Sequence, residues 1–464
     1  MRKIQLTAAY TAALLVGLGV AQADNNGHRR GHDGHDGHGN RNPKNVILLI
    51  GDGMGVSETT VARYYQYGAK GRMNLDALPV TGFQTTWSLK PGAGPNYAPD
   101  YAPDSASTGT MWATGKKTID ERISQGPSTA LNVPGQNLRT ILEVFQSQGK
   151  RVGNVSTAEI TDATPAVLNS HISLRGCQAP KDMGACALET KAAGGLGSIA
   201  EQTVDHRVDV VLGGGRGRFD ATGGLIQGGP DNGKTVQQSA QRQGYKVIST
   251  ATELAQLRSS SLPVLGLFNA GNMTTEWSGP SAVPGDGVPA HQCNTGNRPS
   301  NEPSLADMTA KAIQLLDDSD RSRGFFLQVE GASIDKQDHA ANACGQIGET
   351  VAFDRAIGVA LDYQDKHPDT LVIVTADHSH TSQIVAEDTS GTGNPPGYSD
   401  NLITKDGQVM RVTYSTAGGP GPAPVPPSQQ HTGAVVPVWA IGPNAGALAG
   451  TTDHTDLFGI MQGK

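Results

Sequence analysis

Residues Phe325 to Ala340 read FFLQVEGASIDKQDHA, and the architecture turns on this stretch. Phe325 to Val329 reads as an apolar strand that ends abruptly in charge at Glu330. Gly331 and Ala332 turn the chain, and Asp335, Lys336, Asp338 and His339 follow at once. If that last piece is helical, Asp335 and His339 share a face. A carboxylate and an imidazole on one face make half of a zinc site. Taken alone, the stretch fits a solvated polar loop after a buried strand equally well. The choice rests on whether the rest of the chain supplies matching halves.

It supplies several. Asn45 to Ile50 (NVILLI) is a nearly continuous apolar run, the pattern of a parallel strand buried on both faces. It stops at Gly51-Asp52-Gly53, where glycines leave the Asp52 carboxylate uncrowded, although Asp in a Gly turn is also ordinary turn chemistry. Thr370 to Ala376 (TLVIVTA) delivers Asp377 and His378 in the same way, with His380 close behind. Val208–Leu212, Pro263–Phe268 and Val435–Ile441 read as further strands, and Val152–Val155 as a short one. Helical spacing marks Asn137–Gly149 and Ser304–Asp318, the latter capped by Ser304. Strands alternating with helices predict an α/β fold: a large, mainly parallel central sheet flanked by helices. In such sheets ligands gather at the carboxyl ends of the strands. Residues 388–430, rich in Gly, Pro, Ser and Thr, are expected to form a surface insertion before His431.

Between these strands lies YAPDSASTGTMWATG, Tyr101 to Gly115. Ser105 is placed to open a helix after the Pro103-Asp104 break. The unpaired N–H groups and dipole of a helix start favour a phosphoryl oxygen; a plain capping serine is the commoner use of that position. No GxSxG elbow surrounds it, so a hydrolase triad is not signalled. Downstream, STAEITDATPA holds Asp162 and Thr164, and Arg175 precedes Cys177. An arginine beside a disulfide loop can be held as a fork for an oxyanion, or can be a surface charge.

The chain has 464 residues, is 36% hydrophobic and carries a formal net charge of −7, which suits a large core and argues against a nucleic-acid partner. Arg2, Lys3, the apolar Ala8–Val20 run and Ala21-Gln22-Ala23 fit a cleaved signal peptide over residues 1–23. That predicts export, to a periplasm or outside the cell, with no membrane anchor left after cleavage. Residues 24–43 are rich in His and Gly, with His28, His32, His35 and His38; they cannot bury a core and are expected to be disordered. Residues 44–464 form the expected folded domain. Cys177, Cys186, Cys293 and Cys344 are an even set in an exported chain, which favours disulfides. Of the three possible pairings the simplest is Cys177–Cys186 with Cys293–Cys344.

Three apolar strands thus end in Asp52, Glu330 and Asp377-His378. If those ends converge, with Asp335 and His339 close to the second and His431 before a later strand, four carboxylates crowd one site, and their repulsion demands cations. Asp with His suits zinc; carboxylate, threonine and water oxygens suit magnesium.

The motifs NVILLIGDGMG, DSAS, NVSTAEITDATPA, GFFLQVEGASIDKQDHAANACGQIGET, TLVIVTADHSHTSQIVA and the HTG at His431 occur in one order across the chain. From about Asn45 to its C-terminus the chain resembles the bacterial alkaline phosphatases of the enteric periplasmic type. The resemblance implies a phosphoric monoester hydrolase acting through a phosphoserine, with low substrate selectivity, in a homodimer holding two zinc ions and one magnesium ion per subunit. It implies that Asp335, His339 and His431 hold one zinc, and Asp377, His378 and Asp52 the other. Asp52, Glu330 and Thr164 would hold magnesium, whose waters Asp162 orients. Ser105 would be the nucleophile, Arg175 the phosphate clamp, Lys336 a water-mediated phosphate contact and His380 a supporting partner. Related enzymes often carry His at the positions of Asp162 and Lys336, so Asp and Lys place this chain with the enteric type. The same resemblance agrees with the simplest cysteine pairing, and it assigns no role to the His-rich segment.

Overall fold

Alternate residues of the Asn45–Gly51 strand enter two different cores: Val46, Leu48 and Ile50 face one, Ile47 and Leu49 the other. A strand covered on both faces has no polar side, which is why NVILLI shows no alternation. In the computed structural model, which describes residues 42–317, 323–387, 397–417 and 428–464, this strand sits inside a ten-stranded sheet. The expected signal segment and His28, His32, His35 and His38 lie outside the described residues, as do 388–396 and 418–427 of the expected insertion.

In chain order the strands are β1 (Asn45–Gly51), β2 (Val80–Thr85), β3 (Arg151–Glu159), β4 (Val210–Gly214), β5 (Lys246–Ile248), β6 (Val264–Leu267), β7 (Phe325–Gly331), β8 (Thr370–Ala376), β9 (Val436–Ile441) and β10 (Gly450–Asp453). Across the sheet they run β10-β2-β9-β8-β1-β7-β3-β4-β6-β5. Neighbours are parallel except where β9 runs antiparallel to β8 and to β2. The consequential part is the parallel quartet β8-β1-β7-β3. Gly51 is in register with both Gly331 and Ala376, and Glu330 with Ser156. Four polar strand ends therefore emerge side by side on one edge.

One face of the sheet packs on the Ser105–Thr114 and Ile141–Ser147 helices, through residues such as Ala106, Trp112, Leu142 and Phe145. The other packs on Leu305–Leu316 and Ala343–Lys366, through Met308, Ala312, Leu316, Phe353 and Ile357. Ser304 caps the first of these as expected, with its hydroxyl accepting from the Asp307 N–H. Gln328 is the one polar side chain in the middle of β7. It accepts from Trp112 Nε1 at 3.0 Å and donates to the Thr164 carbonyl at 2.8 Å, so it ties the Ser105 helix and the Thr164 turn to the sheet.

Three elements differ from expectation. β3 continues to Glu159 rather than stopping at Val155. Its polar end is buried because Ser156 hydrogen-bonds Glu330 and Thr157 accepts from the Ala332 N–H. The Ile141–Ser147 helix starts late because Thr140 and Glu143 form a capping box. In the expected insertion, Tyr398–Ile403 and Val409–Tyr414 are buried strands of a second, five-stranded sheet. Leu402, Met410, Val412 and Tyr414 pack there with Val61, Tyr65 and Trp277. Disulfides join Cys177 to Cys186 and Cys293 to Cys344. Among the described residues no helix is long and apolar enough to cross a membrane.

Replacing Gln328 by Leu leaves the Trp112 N–H and the Thr164 carbonyl unpaired in the core. We expect a cost of about 1–3 kcal/mol for each group so stranded, read as a lower thermal midpoint by calorimetry. A midpoint equal to the wild type would show that the tie is not structural.

Candidate active site

Ser105 is the first residue of its helix, and Asp104, not Ser105, is the cap: the Asp104 carboxylate accepts from the Ser107 N–H at 2.9 Å. The serine hydroxyl is thereby released from capping. It is buried, 3.2 Å from His378 Nε2 and 3.5 Å from Asp52 Oδ1. Asp52, Asp377 and His378 bring one ligand atom each within 4.8 Å of one another. Asp377 Oδ1 accepts from the N–H groups of Gly53 and His378, both at 2.9 Å, while its Oδ2 has no hydrogen-bond donor. Gly53 has φ +68°, and a Cβ there would lie 2.6 Å from His380 Cδ2, so both its conformation and the space around it call for glycine.

The Ser333–His339 helix forms as the opening stretch suggested. Asp335 Oδ1 lies 3.3 Å from His339 Nε2 and 3.3 Å from His431 Nε2, and those two nitrogens are 3.0 Å apart. The Nδ1 atoms of His339 and His431 face the carbonyls of Gln429 (2.5 Å) and Pro103 (3.0 Å). A carbonyl only accepts, so each Nδ1 carries a proton and each ring turns its Nε2 inward; burial pushes His339 down, whereas on His431 burial is outweighed by the hydrogen bond to Asp335 and the ring is pushed up. Backbone-held imidazoles of this kind are the usual way a protein orients metal ligands. His380 Nε2 lies 2.6 Å from the same carboxylate oxygen, and Asp335, His378, His380 and His431 bring one ligand atom each within 4.8 Å of one another.

Glu330 hydrogen-bonds Ser156 and lies at the end of the strand next to β1, and the Thr164 hydroxyl is buried with no hydrogen-bond partner. Asp162 Oδ2 accepts from Lys336 Nζ at 2.7 Å, and Oδ1 from Arg175 Nη2 at 2.9 Å. Arg175 Nη1 reaches Asp104 at 3.3 Å. Sequence reasoning missed Asp104 and Glu121 in this arrangement. Asp104 also accepts from the Glu121 N–H at 2.9 Å, and the Glu121 carbonyl accepts from the Arg175 N–H at 2.7 Å. Glu121 does this from the left-handed region, φ +67°, a strained position for a side chain. The Asp three residues before Ser107 was the available signal for the cap; nothing in the sequence signalled Glu121.

The charges are unbalanced. Burial, then Asp377, Asp335 and Glu330, push the Asp52 carboxyl well above its usual range. Burial is also the main cause that raises Glu330, to about 7. Burial, then the imidazole of His431, pushes His378 well below the usual range, so its ring is neutral with one nitrogen lone pair to give. On Asp162, burial is outweighed by Lys336 and Arg175, and the carboxyl is held below the usual range. Crowded carboxylates, inward-facing imidazole nitrogens and orphaned oxygens on Thr164 and Asp377 are a donor set that divalent cations would satisfy.

Residues 43–420 match the family model described as Alkaline phosphatase. The chain is 45% identical to the alkaline phosphatase of Escherichia coli (strain K12) over 427 residues, 90% of this chain and 85% of that protein. It is 46% identical to the streptomycin-6-phosphate phosphatase of Streptomyces griseus over 425 residues, 90% of this chain and 89% of that protein. Among solved structures, the alkaline phosphatase of the Antarctic bacterium TAB5 shares the fold, with TM-score 0.64 at 24% identity over 91% of this chain and 98% of that one. A variant of that enzyme was solved with magnesium bound, and it aligns with TM-score 0.61 at 24% identity over 90% of this chain and 97% of that one.

Asp104→Ala removes both the helix cap and the acceptor for Glu121. The lost cap alone costs about 0.5–2 kcal/mol, whereas Asp104→Asn keeps a capping oxygen. Thermal midpoints should therefore fall in the order wild type, Asn, Ala. Equal midpoints for Asn and Ala would contradict the capping role.

Proposed function

The chain belongs to the alkaline phosphatase family, which hydrolyses phosphate monoesters, and from that premise we propose a mechanism through a phosphoserine on Ser105. The carrying observation is that a buried, uncapped serine hydroxyl stands 3.2 Å from His378 Nε2, inside the Asp52–Asp377–His378 cluster. Asp335, His339 and His431 suit one zinc, and Asp52, Asp377 and His378 a second. Asp52, Glu330 and Thr164 suit magnesium, with Asp162 orienting its waters. Bound there, these ions supply Lewis-acid charge that lowers the pKa of the serine hydroxyl and of water and stabilises the leaving oxygen.

The chain itself does the positioning. His378 and Asp52, 3.2 and 3.5 Å from the Ser105 oxygen, hold it in place for attack on phosphorus. The new Ser105 O–P bond forms as the ester O–P bond breaks and the alcohol leaves. Arg175, held by Asp104 and Asp162, presents its two terminal nitrogens as a fork to two phosphoryl oxygens. The helix start beneath Ser105 adds favourable dipole. Lys336, fixed on Asp162, reaches the phosphate through water. Water then attacks phosphorus, the Ser105 O–P bond breaks, and inorganic phosphate leaves.

The clamp grips the phosphate and little of the alcohol, which supports broad monoester use. Relatives of similar identity carry different substrate names, so identity does not select one ester. The N-terminal signal pattern supports export to a periplasm or beyond, where a homodimer of low selectivity would serve phosphate scavenging.

Ser105→Ala should lower p-nitrophenyl phosphate turnover by on the order of 10³-fold or more, and acid quench of the wild type should trap phosphate on Ser105. Near-wild-type turnover in the variant would refute the serine pathway. A chelator should abolish activity, and zinc with magnesium should restore it; full activity after exhaustive chelation would refute the ligand assignment.

A further inference from the structure

Away from this centre, Glu143, His171 and His206 bring one carboxylate oxygen and two imidazole nitrogens within 4.8 Å of one another. We infer that these three residues form a further binding site for a single divalent cation of the zinc class. They come from three elements: the Ile141–Ser147 helix, the loop after the Thr164 turn, and the C-cap of the Ile199–Asp205 helix. None of them contacts Ser105 or the ligand sets around it.

The orientation of the rings carries the argument. Glu143 Oε1 lies 3.1 Å from His171 Nε2 and 3.0 Å from His206 Nε2. His171 Nδ1 faces the Ser124 carbonyl at 3.0 Å, and His206 Nδ1 faces the Gln202 carbonyl at 3.0 Å. Both Nδ1 atoms therefore donate, and both rings turn Nε2 toward the carboxylate. The other carboxylate oxygen is fixed by the Thr140 N–H at 2.8 Å. In the absence of an ion the imidazoles hydrogen-bond the carboxylate: burial pushes the Glu143 carboxyl up, but hydrogen bonds from His171 and His206 outweigh it and hold the group well below the usual range, and on His206 burial is outweighed by the contact with Glu143 and the ring is pushed up. With both Nε2 atoms deprotonated, three lone pairs meet at one point. Protons could fill both gaps only if both rings were doubly protonated, with centroids 5.8 Å apart. One cation satisfies all three donors at once.

The spacing also suits zinc. Zn–N and Zn–O bonds of about 2.0–2.2 Å at tetrahedral angles separate ligands by about 3.3 Å. Side-chain exposure is 6% for His171 but 24% for Glu143 and 20% for His206, so the cluster opens on one side, where water would complete the shell. Backbone carbonyls behind both imidazoles are the orienting contacts that such ligands use.

The test counts ions. Full-length wild type, His206→Gln and Glu143→Gln are equilibrated with zinc, desalted and analysed by mass spectrometry for metal per chain. Each variant should hold one zinc fewer than the wild type while keeping wild-type p-nitrophenyl phosphate turnover. Ions at the Ser105 centre are common to all three proteins and cancel, so an error in the ligand assignment there does not change the difference. Equal counts would overturn the proposal. Zinc-soaked wild-type crystals should give an anomalous peak among the three side chains; its absence would overturn the proposal whether or not the variants fold.

Discussion

Electrostatic repulsion among acids that the sheet forces together is the constraint behind the rest of the structure. β8, β1 and β7 are neighbours and end in register, so Asp377, Asp52 and Glu330 cannot avoid one another. The turn after β7 adds Asp335. Burial removes the water that would screen these charges, and the raised Asp52 and Glu330 carboxyls are the result. A parallel sheet covered on both faces makes the strands rigid, so the repulsion cannot relax by backbone movement. Positive charge has to come from elsewhere.

Lys336 and Arg175 supply part of it, but both are committed to Asp162 and, for Arg175, to Asp104. That commitment holds two flexible cations in fixed places beside Ser105. Asp104 links this network to the serine, since one carboxylate caps the Ser105 helix, receives the Glu121 N–H and reaches Arg175. Ser105 and Arg175 are therefore positioned by the same group. The strained Glu121 backbone persists because these bonds hold it from both sides.

Features carried by local pattern were legible in the sequence. Apolar runs ending in Asp or Glu mark β1, β7 and β8, and the i,i+4 spacing of Asp335 and His339 marks the helix between them. Features that depend on distant pairing were hidden. The polar end of β3 resembles a loop until Ser156 meets Glu330 across the sheet. Met410–Tyr414 alternates as a strand should, but Tyr398–Ile403 carries Ser399, Asp400 and Asn401 in a row, and the Gly and Pro around both dominate the composition. Glu143, His171 and His206 are too widely spaced to form any motif, and only the packing of three elements shows them together.

The central claim is that cations offset the repulsion among the strand-end carboxylates. It is tested most directly by the thermal midpoint of Asp52→Asn relative to wild type at alkaline pH, with and without metal. The account predicts a reversal of sign: removing one charge stabilises the metal-free protein and destabilises the protein loaded with zinc and magnesium. A change of the same sign in both states would contradict it.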